Sequence, residues 1–425
     1  MAASRYHTYE PPDMVTEKIF ETALGISSPW YIAGMNFDPA KGTGKLHIRI
    51  DFEVGTRFAV PGHQGEHPVH DTVTKKYQHM NFFQHVCELE VRVPRVKLPD
   101  GSVLQVTPPW AGKLSGFTLL FEAFVLLLCR EMPFRGVSRI TGLSTHRVMA
   151  LCSRYVDEAV SLQDYSKVRD VAIDETSRAK GHDYVTIVAD AEVRKVLFVA
   201  EGAESDTVGA FVKNLMAHHG KPTQIEHISI DMSPAYISGV QNHLPNAHIT
   251  FDKFHVIAHA SEAIDETRRQ EQKLDPSLKG MRWVLLKDRK DLTAAQRVEL
   301  DDLIRQMTSS RTARAWHYRE QLREILTRTQ PHVVRGLLHR WCRNVLSSKV
   351  EAMRDVARMI REHFDGVMAW VYSRQTNGFL EAINGLFQAA KRKARGYVRF
   401  RTIRMVIFLI AGKLDFSKIN PYVAA

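Results

Sequence analysis

Two aspartates follow two short apolar runs that have the composition of buried β-strands. Residues 171–173 are apolar and are followed by Asp174 and Glu175, and the β-branched run 228–230 is followed by Asp231. Two ionised carboxylates a few ångströms apart repel strongly, so such a pair usually needs a cation between its members. Oxygen ligands on rigid strands suit Mg²⁺ or Mn²⁺. The two runs therefore predict a divalent-cation site built on one sheet.

A third carboxylate, Glu381, lies in a stretch with helical periodicity and apolar neighbours. Asn377 and Asn384 lie four and three residues from it, so the three polar side chains share one side of that helix. Three such carboxylates can hold two divalent ions, which activate water or a 3′-hydroxyl and stabilise the leaving oxygen of a phosphodiester. Each acid taken alone is more often a solvated or structural carboxylate. The prediction depends on all three falling on the correct elements of one fold.

Asp252 is the alternative to Asp231 as the second carboxylate, because it ends the next strand-like run. The fold described next favours Asp231, whose strand lies beside that of Asp174. We expect Asp252 and His255 to line the edge of the site or to contact DNA.

The elements around these acids follow the order β-β-β-α-β-α-β. Three strand-like runs, at residues 171–174, 184–189 and 195–200, are separated by short polar turns typical of antiparallel hairpins. Helix, strand, helix and strand patterns follow at 206–218, 225–231, 235–243 and 247–255. This order predicts an α/β protein with a ribonuclease-H-like mixed sheet, a three-strand meander followed by two crossover units. A long all-helical insertion, about residues 256–374, precedes the helix of Glu381.

A helix-turn-helix pattern precedes the sheet. Residues 118–131, 133–140 and 145–156 have helical patterns, with a tight turn at Gly142 and a plausible N-cap at Ser144. Helix, glycine-containing turn and helix form the arrangement of many DNA-binding units. We expect His146, Arg147 and Arg154 to contact DNA, with an ordinary αα-hairpin as the alternative.

The N-terminal part has a different composition. The composition of residues 1–45 predicts mostly an arm, with one possible helix at 13–23. The pattern of residues 46–112 predicts a small β-rich module. The further predicted domains are a helix-turn-helix at 113–165 and a catalytic domain at 166–425. His63, His67, His70 and Cys87 could in principle bind zinc, but histidines in a loop without paired cysteines are more simply polar surface.

The composition favours a polyanionic partner. The net charge of the 425 residues is +11, and the densest cationic run is 391–395. We expect phosphate contacts, and hence salt-sensitive binding, from Asn377, Asn384, Lys391, Arg392, Lys393 and Arg395. The four cysteines form no CxxC pair, which indicates a reducing compartment. No signal peptide or membrane-spanning run is apparent, so a soluble cytoplasmic protein is expected.

Four motifs carry a resemblance to a known family. The runs at 173–177, 230–236, 251–255 and 376–384 resemble those of bacterial insertion-sequence transposases of the ISL-three (ISL3) family, of the Asp-Asp-Glu class. The resemblance implies that Asp174, Asp231 and Glu381 bind two Mg²⁺ or Mn²⁺ ions. It implies hydrolytic nicking at the element ends, then attack of the freed 3′-hydroxyl on target DNA. The implied partners are double-stranded DNA, as terminal inverted repeats and target, and further copies of the chain in a dimer or larger assembly near the bacterial nucleoid.

The chain departs from this family in its N-terminal module. The family carries cysteine pairs at positions where this chain has Val60, His63, Leu98 and Gly101. At least three of the four expected ligands are missing, so zinc is not expected here. Two other functions remain open: a catalytically inactive, transposase-derived DNA-binding regulator, and an RNA-cleaving nuclease of the same fold.

Overall fold

The protein forms two compact units. A computed structural model describes residues 12–39, 43–179, 183–202, 205–306, 309–373, 378–397 and 399–423. One unit contains Met1–Val160 and Leu414–Ala425, and the other contains Ser161–Lys413. Each unit combines a β-sheet with helices, so the mixed α/β class predicted from the sequence is confirmed.

The first unit is built on a six-stranded sheet. Its strands are β1 (Trp30–Asp38), β2 (Lys45–Phe52), β3 (Arg57–Ala59), β4 (Glu66–Phe82), β5 (His85–Lys97) and β6 (Val103–Gln105). Their order is β1-β2-β5-β4-β3, with β6 paired to β5. β2 runs parallel to β5, whereas β4 and β5 form a long antiparallel ribbon. Alternating burial along β2 and β5 places Ile48 and Val91 in the core of this unit.

Two predictions for this region are wrong. The predicted arm at 1–45 contains strand β1, which pairs with β2 from Trp30 to Asp38, besides the expected helix, α1 (Pro12–Leu24). The histidines expected in a loop do not all lie in one, because β4 begins at Glu66 and contains His67 and His70. Neither strand has regular alternation: β1 changes register at Gly34, and β4 is mostly polar.

Three helices follow with bounds close to those predicted: α2 (Leu119–Glu131), α3 (Phe134–Thr141) and α4 (Thr145–Ser161). Thr118 caps α2 by accepting the N–H of Phe121 at 3.3 Å. Gly142 ends α3 with φ of 72°, a left-handed conformation that favours glycine. Ser144 Oγ accepts the N–H of Arg147 at 3.3 Å and so caps α4. These caps fix the helix-turn-helix locally.

The C-terminal segment, residues 414–423, belongs to the first unit. Asn420 Nδ2 donates to Leu119 O at 2.8 Å and to the Tyr155 hydroxyl at 2.9 Å. The Tyr155 hydroxyl donates in turn to Glu122 at 2.7 Å. The domain predicted at 166–425 therefore differs from the observed second unit at its C-terminal end.

The second unit contains a five-stranded mixed sheet. Its strands are β7 (Asp170–Ala179), β8 (Asp183–Asp190), β9 (Lys195–Glu201), β10 (His227–Ile230) and β11 (His248–Phe251). The strand order is β11-β10-β7-β8-β9. β7, β8 and β9 form an antiparallel meander, whereas β10 pairs parallel to both β7 and β11. Helices α5 (Ser205–Ala217) and α6 (Pro234–His243) make the two crossovers, in the predicted order of elements.

A helical segment follows the sheet: α7 (Lys253–Glu271), α8 (Arg282–Leu286), α9 (Ala294–Arg305), α10 (Arg311–Thr327), α11 (Pro331–Leu346), α12 (Glu351–Glu362) and α13 (Phe364–Ser373). Two further helices are α14 (Gly378–Ala394) and α15 (Phe400–Ala411). The segment shares one hydrophobic core with the sheet. Gly366 lets α13 approach β11, since a Cβ there would lie 2.4 Å from the Phe251 ring. Among the described helices, none is both long and apolar enough to cross a membrane.

Candidate active site

Asp174 and Asp231 lie at matching positions on adjacent parallel strands. The pairing of β7 with β10 ends at Ala172 and Ser229, and each aspartate lies two residues beyond its paired residue. The prediction that Asp174 ends its strand is wrong, because β7 continues to Ala179 alongside β8. The carboxyl end of parallel strands, where the sheet opens, is where α/β proteins commonly hold ligands.

The electrostatics of Asp174 link the three predicted carboxylates. Burial raises the pKa of Asp174 above its usual value, and the charges of Asp231 and Glu381 raise this pKa further. The Glu175 N–H, which donates to Asp174 Oδ1 at 2.8 Å, and the nearby His255 favour the ionised form. The fold thus brings both Asp231 and Glu381 within electrostatic range of Asp174.

The carboxylates are near each other without forming a compact ligand cluster. In the parts of the chain that the structure describes, no three side chains of His, Cys, Asp or Glu are grouped closely enough to hold one metal ion. Glu381 is exposed on the first turns of α14, so packing does not fix its side chain. The three carboxylates have the donor chemistry of a cation site, and the side chain of Glu381 is exposed.

Three side chains of α14, spaced about one helical turn apart, donate hydrogen bonds to β7. Asn384 Nδ2 donates to Asp174 Oδ2 at 2.9 Å and to Glu175 O at 3.2 Å. Gln388 Nε2 donates to Thr176 Oγ1 and Ser177 O, at 3.0 and 2.8 Å. Lys391 Nζ donates to Ser177 O at 2.9 Å. These contacts place Glu381, one turn before Asn384, beside the strand of Asp174.

Two residues predicted to contact DNA phosphates, Asn384 and Lys391, donate hydrogen bonds to β7 in this structure. Their contact with DNA stays a prediction. Asn377 lies outside the described residues. Arg392, Lys393 and Arg395 are exposed at the end of α14, and their contact with DNA stays a prediction.

Glu175 and Tyr236 form a polar pair that the sequence prediction did not include. The Tyr236 hydroxyl donates to the Glu175 carboxylate and lies 2.8 Å from Thr186 Oγ1. Burial raises the pKa of Glu175, and the charges of Asp231 and Asp174 add to this. Burial also raises the pKa of Tyr236. The pair ties α6, which follows Asp231, to β7 and β8, and the Tyr in the run 230–236 was the available sequence signal.

Asp252 and His255 have separate positions. Asp252 is fully buried and caps α7 by accepting the N–H of Phe254 at 2.9 Å. His255, on the first turn of α7, interacts electrostatically with Asp174 and Glu175. Asp252 thus has a structural use, whereas His255 lies beside the carboxylates.

The predicted DNA-contacting residues of α4 differ in their surroundings. His146 and Arg154 are exposed. The guanidinium of Arg147 lies 4.0 Å from the centroid of the Phe117 ring and donates to Ser115 O at 3.1 Å. Arg147 therefore also braces the segment before α2.

Among the described residues, the side chains considered as zinc ligands do not form a cluster that could hold a metal ion. Cys87 is buried, which raises the pKa of its thiol to about 12, and His67 is buried on β4. His63 is exposed in the turn before β4, and Val60 and Leu98 are buried apolar residues.

Comparisons with known proteins agree on one family. Residues 171–407, more than half of the chain, match a family model described as a transposase. Residues 106–156 match the helix-turn-helix domain of transposase family ISL3. The transposase for insertion sequence element IS1001 of Bordetella parapertussis is 28% identical over 340 residues, which cover 77% of this chain and 82% of that protein. The transposase for element IS1557 of Mycobacterium tuberculosis (strain CDC 1551 / Oshkosh) is 26% identical over 338 residues, 73% of this chain and 75% of that protein.

Proposed function

Because this chain belongs to the ISL3 family of insertion-sequence transposases, and is a DNA transposase, we propose that Asp174, Asp231 and Glu381 are its catalytic carboxylates. The proposed reaction is metal-dependent cleavage at the ends of an insertion sequence, followed by joining of the freed 3′ ends to target DNA. The observation that carries this proposal is geometric: Asp174 and Asp231 each lie two residues beyond the last paired residues of the adjacent parallel strands β7 and β10. Helix α14, which contains Glu381, is bound to the same place through Asn384, whose amide donates to Asp174 Oδ2 at 2.9 Å.

We also propose that the second unit is a ribonuclease-H-like catalytic domain. The support is its topology: an antiparallel meander, two parallel strands added beside its first strand, and helical crossovers. In that arrangement the aspartates of β7 and of the β10 end are neighbours, as observed.

The donors at this site fit Mg²⁺ or Mn²⁺, and we propose two ions per site. The carboxylate donors are all oxygens, which these ions prefer. Asn384 Oδ1 is buried and accepts no hydrogen bond from the residues that the structure describes, so another oxygen beside Asp174 is available to a cation. When bound, the ions supply activation of the attacking oxygen and stabilisation of the leaving oxygen.

The chain's own residues have distinct proposed roles. Asn384 holds Asp174 Oδ2 in place, and the Tyr236–Glu175 pair holds the helix that follows Asp231. His146 and Arg154 on α4 are proposed to contact the element ends, and Arg392, Lys393 and Arg395 to contact phosphates near the site. Two element ends must be processed together, so at least a dimer is proposed on DNA.

The test uses full-length protein and labelled DNA from the ends of its own element, with Mg²⁺, Mn²⁺ or EDTA. Wild type is compared with Asp231→Asn and Glu381→Ala, and with Glu299→Ala, which changes an exposed glutamate of α9. We expect metal-dependent cuts with wild type and Glu299→Ala only, while all four proteins bind the DNA. Binding by wild type without cutting in any metal would instead support a DNA-binding regulator. Equal loss of binding and cutting in Asp231→Asn would show that Asp231 is structural.

A further inference from the structure

Helix α11 presents a cationic face in the helical segment. Its exposed side chains include Arg335, His339, Arg340 and Arg343, which share one side of the helix. The opposite side buries Val334, Leu338, Trp341, Cys342 and Val345. The helix contains no Asp or Glu. Among the described helices of this segment that exceed two turns, it alone lacks an acid.

Other cations of the segment are paired within it. On α12, Arg354 and Arg358 both pair with Glu351, and Arg358 also pairs with Asp355. Arg289 pairs with Asp301 at 2.7 Å. Over the described ranges, by contrast, no salt bridge reaches Arg335, Arg340 or Arg343. Among the salt bridges of the described residues, none joins the exposed acids Glu362 and Asp365, on α12 and α13, to α11. Within the described ranges, the three arginines of the α11 face therefore have no acidic partner in a salt bridge.

Part of this face is held in place by an aromatic ring. The His339 ring stacks on Phe364 at 4.2 Å between centroids, and the guanidinium of Arg335 lies 5.5 Å from the same centroid. Phe364 thus restricts two of the side chains, which lowers the entropy cost of ordering them against a partner.

We propose that the α11 face binds the phosphate backbone of duplex DNA. Arg335 and Arg343 are eight residues apart, about 12 Å along the helix axis. One strand of duplex DNA carries one phosphate per roughly 3.4 Å of the duplex axis, so this length spans about three to four phosphates of one strand. No large apolar side chain of α11 is exposed, whereas protein interfaces depend on buried apolar or aromatic anchors. The charge and the absence of such anchors on this described helix favour DNA over a protein partner.

This inference rests on the DNA transposase function and adds a contact outside the helix-turn-helix and the carboxylate site. Because phosphates are the same in every sequence, contact by α11 strengthens binding to any duplex. It would hold DNA on the second unit without selecting its sequence.

The test measures DNA affinity of full-length protein at several salt concentrations. Fluorescence anisotropy is recorded in EDTA, so cleavage does not interfere, with one duplex from the element end and one scrambled duplex of the same length. The test variant is Arg335→Gln/Arg340→Gln/Arg343→Gln. The control, Arg328→Gln/Arg354→Gln/Arg358→Gln, removes the same charge from salt-bridged arginines. Thermal melting verifies that all proteins are folded.

We expect the test variant to lower the salt slope of log Kobs by about 2 to 3, since each lost phosphate contact lowers it by roughly 0.9. The decrease should be the same on both duplexes, and the control should keep the wild-type slope. A wild-type slope in the test variant would overturn the proposal. An equal decrease in the control would assign the effect to net charge, and a decrease confined to the element end would assign it to base recognition. Either result contradicts the proposal. Because no cleavage is measured, these outcomes are independent of the catalytic assay.

Discussion

Asn384 shows how one side chain can decide the geometry of the site. Its amide donates to Asp174 Oδ2 and to Glu175 O. Its own oxygen is buried and, within the described part of the chain, accepts no hydrogen bond. Burial works against ionisation of Asp174, and a donated hydrogen bond favours the ionised form. The residue therefore positions a carboxylate and leaves an oxygen facing the same region.

We predict that Asn384→Ala reduces strand cleavage by about 10- to 100-fold, the usual loss when a residue that orients a metal ligand is removed. DNA affinity should stay at the wild-type value, because the amide faces the strand rather than solvent. Single-turnover cleavage at saturating DNA, repeated over a Mn²⁺ titration, measures both the rate and the metal dependence.

Gln388→Ala is the matched control, since it removes two hydrogen bonds to the same strand four residues further along α14. We expect its Mn²⁺ dependence to be that of wild type. If the two variants lose cleavage equally with unchanged Mn²⁺ dependence, Asn384 only holds the helix in place.

At the scale of elements, the helices and strands that could be predicted are those whose ends are set by residues nearby in the sequence. Helices α2, α3 and α4 were predicted closely because Thr118, Gly142 and Ser144 set their ends through contacts within a few residues. The strands of the second sheet were predicted because they are apolar runs between turns. The two aspartates could be expected to be neighbours once the strand order was assumed.

Elements that depend on distant partners were missed. Strand β1 is held by pairing with β2, and its register shift near Gly34 removes the alternation that would reveal it. The contacts of Asn384 and Lys391 join residues more than 200 positions apart, so no local pattern distinguishes them from phosphate contacts. The return of residues 414–423 to the first unit likewise depends on contacts that sequence spacing does not show.

The contacts of residues 414–423 with the first unit lead to a prediction about the stability of the helix-turn-helix. Asn420 is fully buried and bonds Leu119 O and Tyr155, which holds the buried Glu122. Asn420→Ala should destabilise the first unit by about 2 kcal/mol, because buried polar groups lose their partner. Hydrogen exchange of residues 119–161 measures the change. The control is Ser417→Ala, which removes a hydrogen bond to Asp415 in an exposed turn and should leave the exchange rates unchanged. If residues 119–161 exchange at the same rates in both variants, Asn420 does not stabilise the helix-turn-helix.

At the scale of the whole molecule, net charge alone is a poor guide to the partner surface. The value of +11 includes many arginines that are paired within the helical segment. The structure separates these from the α11 face and from the exposed end of α14. Composition predicts a polyanionic partner, but only the arrangement of acids around each cation identifies where that partner would bind.

The proposed assembly on DNA leads to a prediction about mixed complexes. If two copies of the chain act on two element ends, each joining event needs two active copies, whereas a single nick needs one. In an equal mixture of wild type and Asp231→Asn at constant total protein, paired-end joining should fall to about one quarter and single-end nicking to about one half. Quantifying both products on one gel measures the two ratios together. If paired-end joining instead falls only to about one half, as nicking does, one copy of the chain processes both ends in turn.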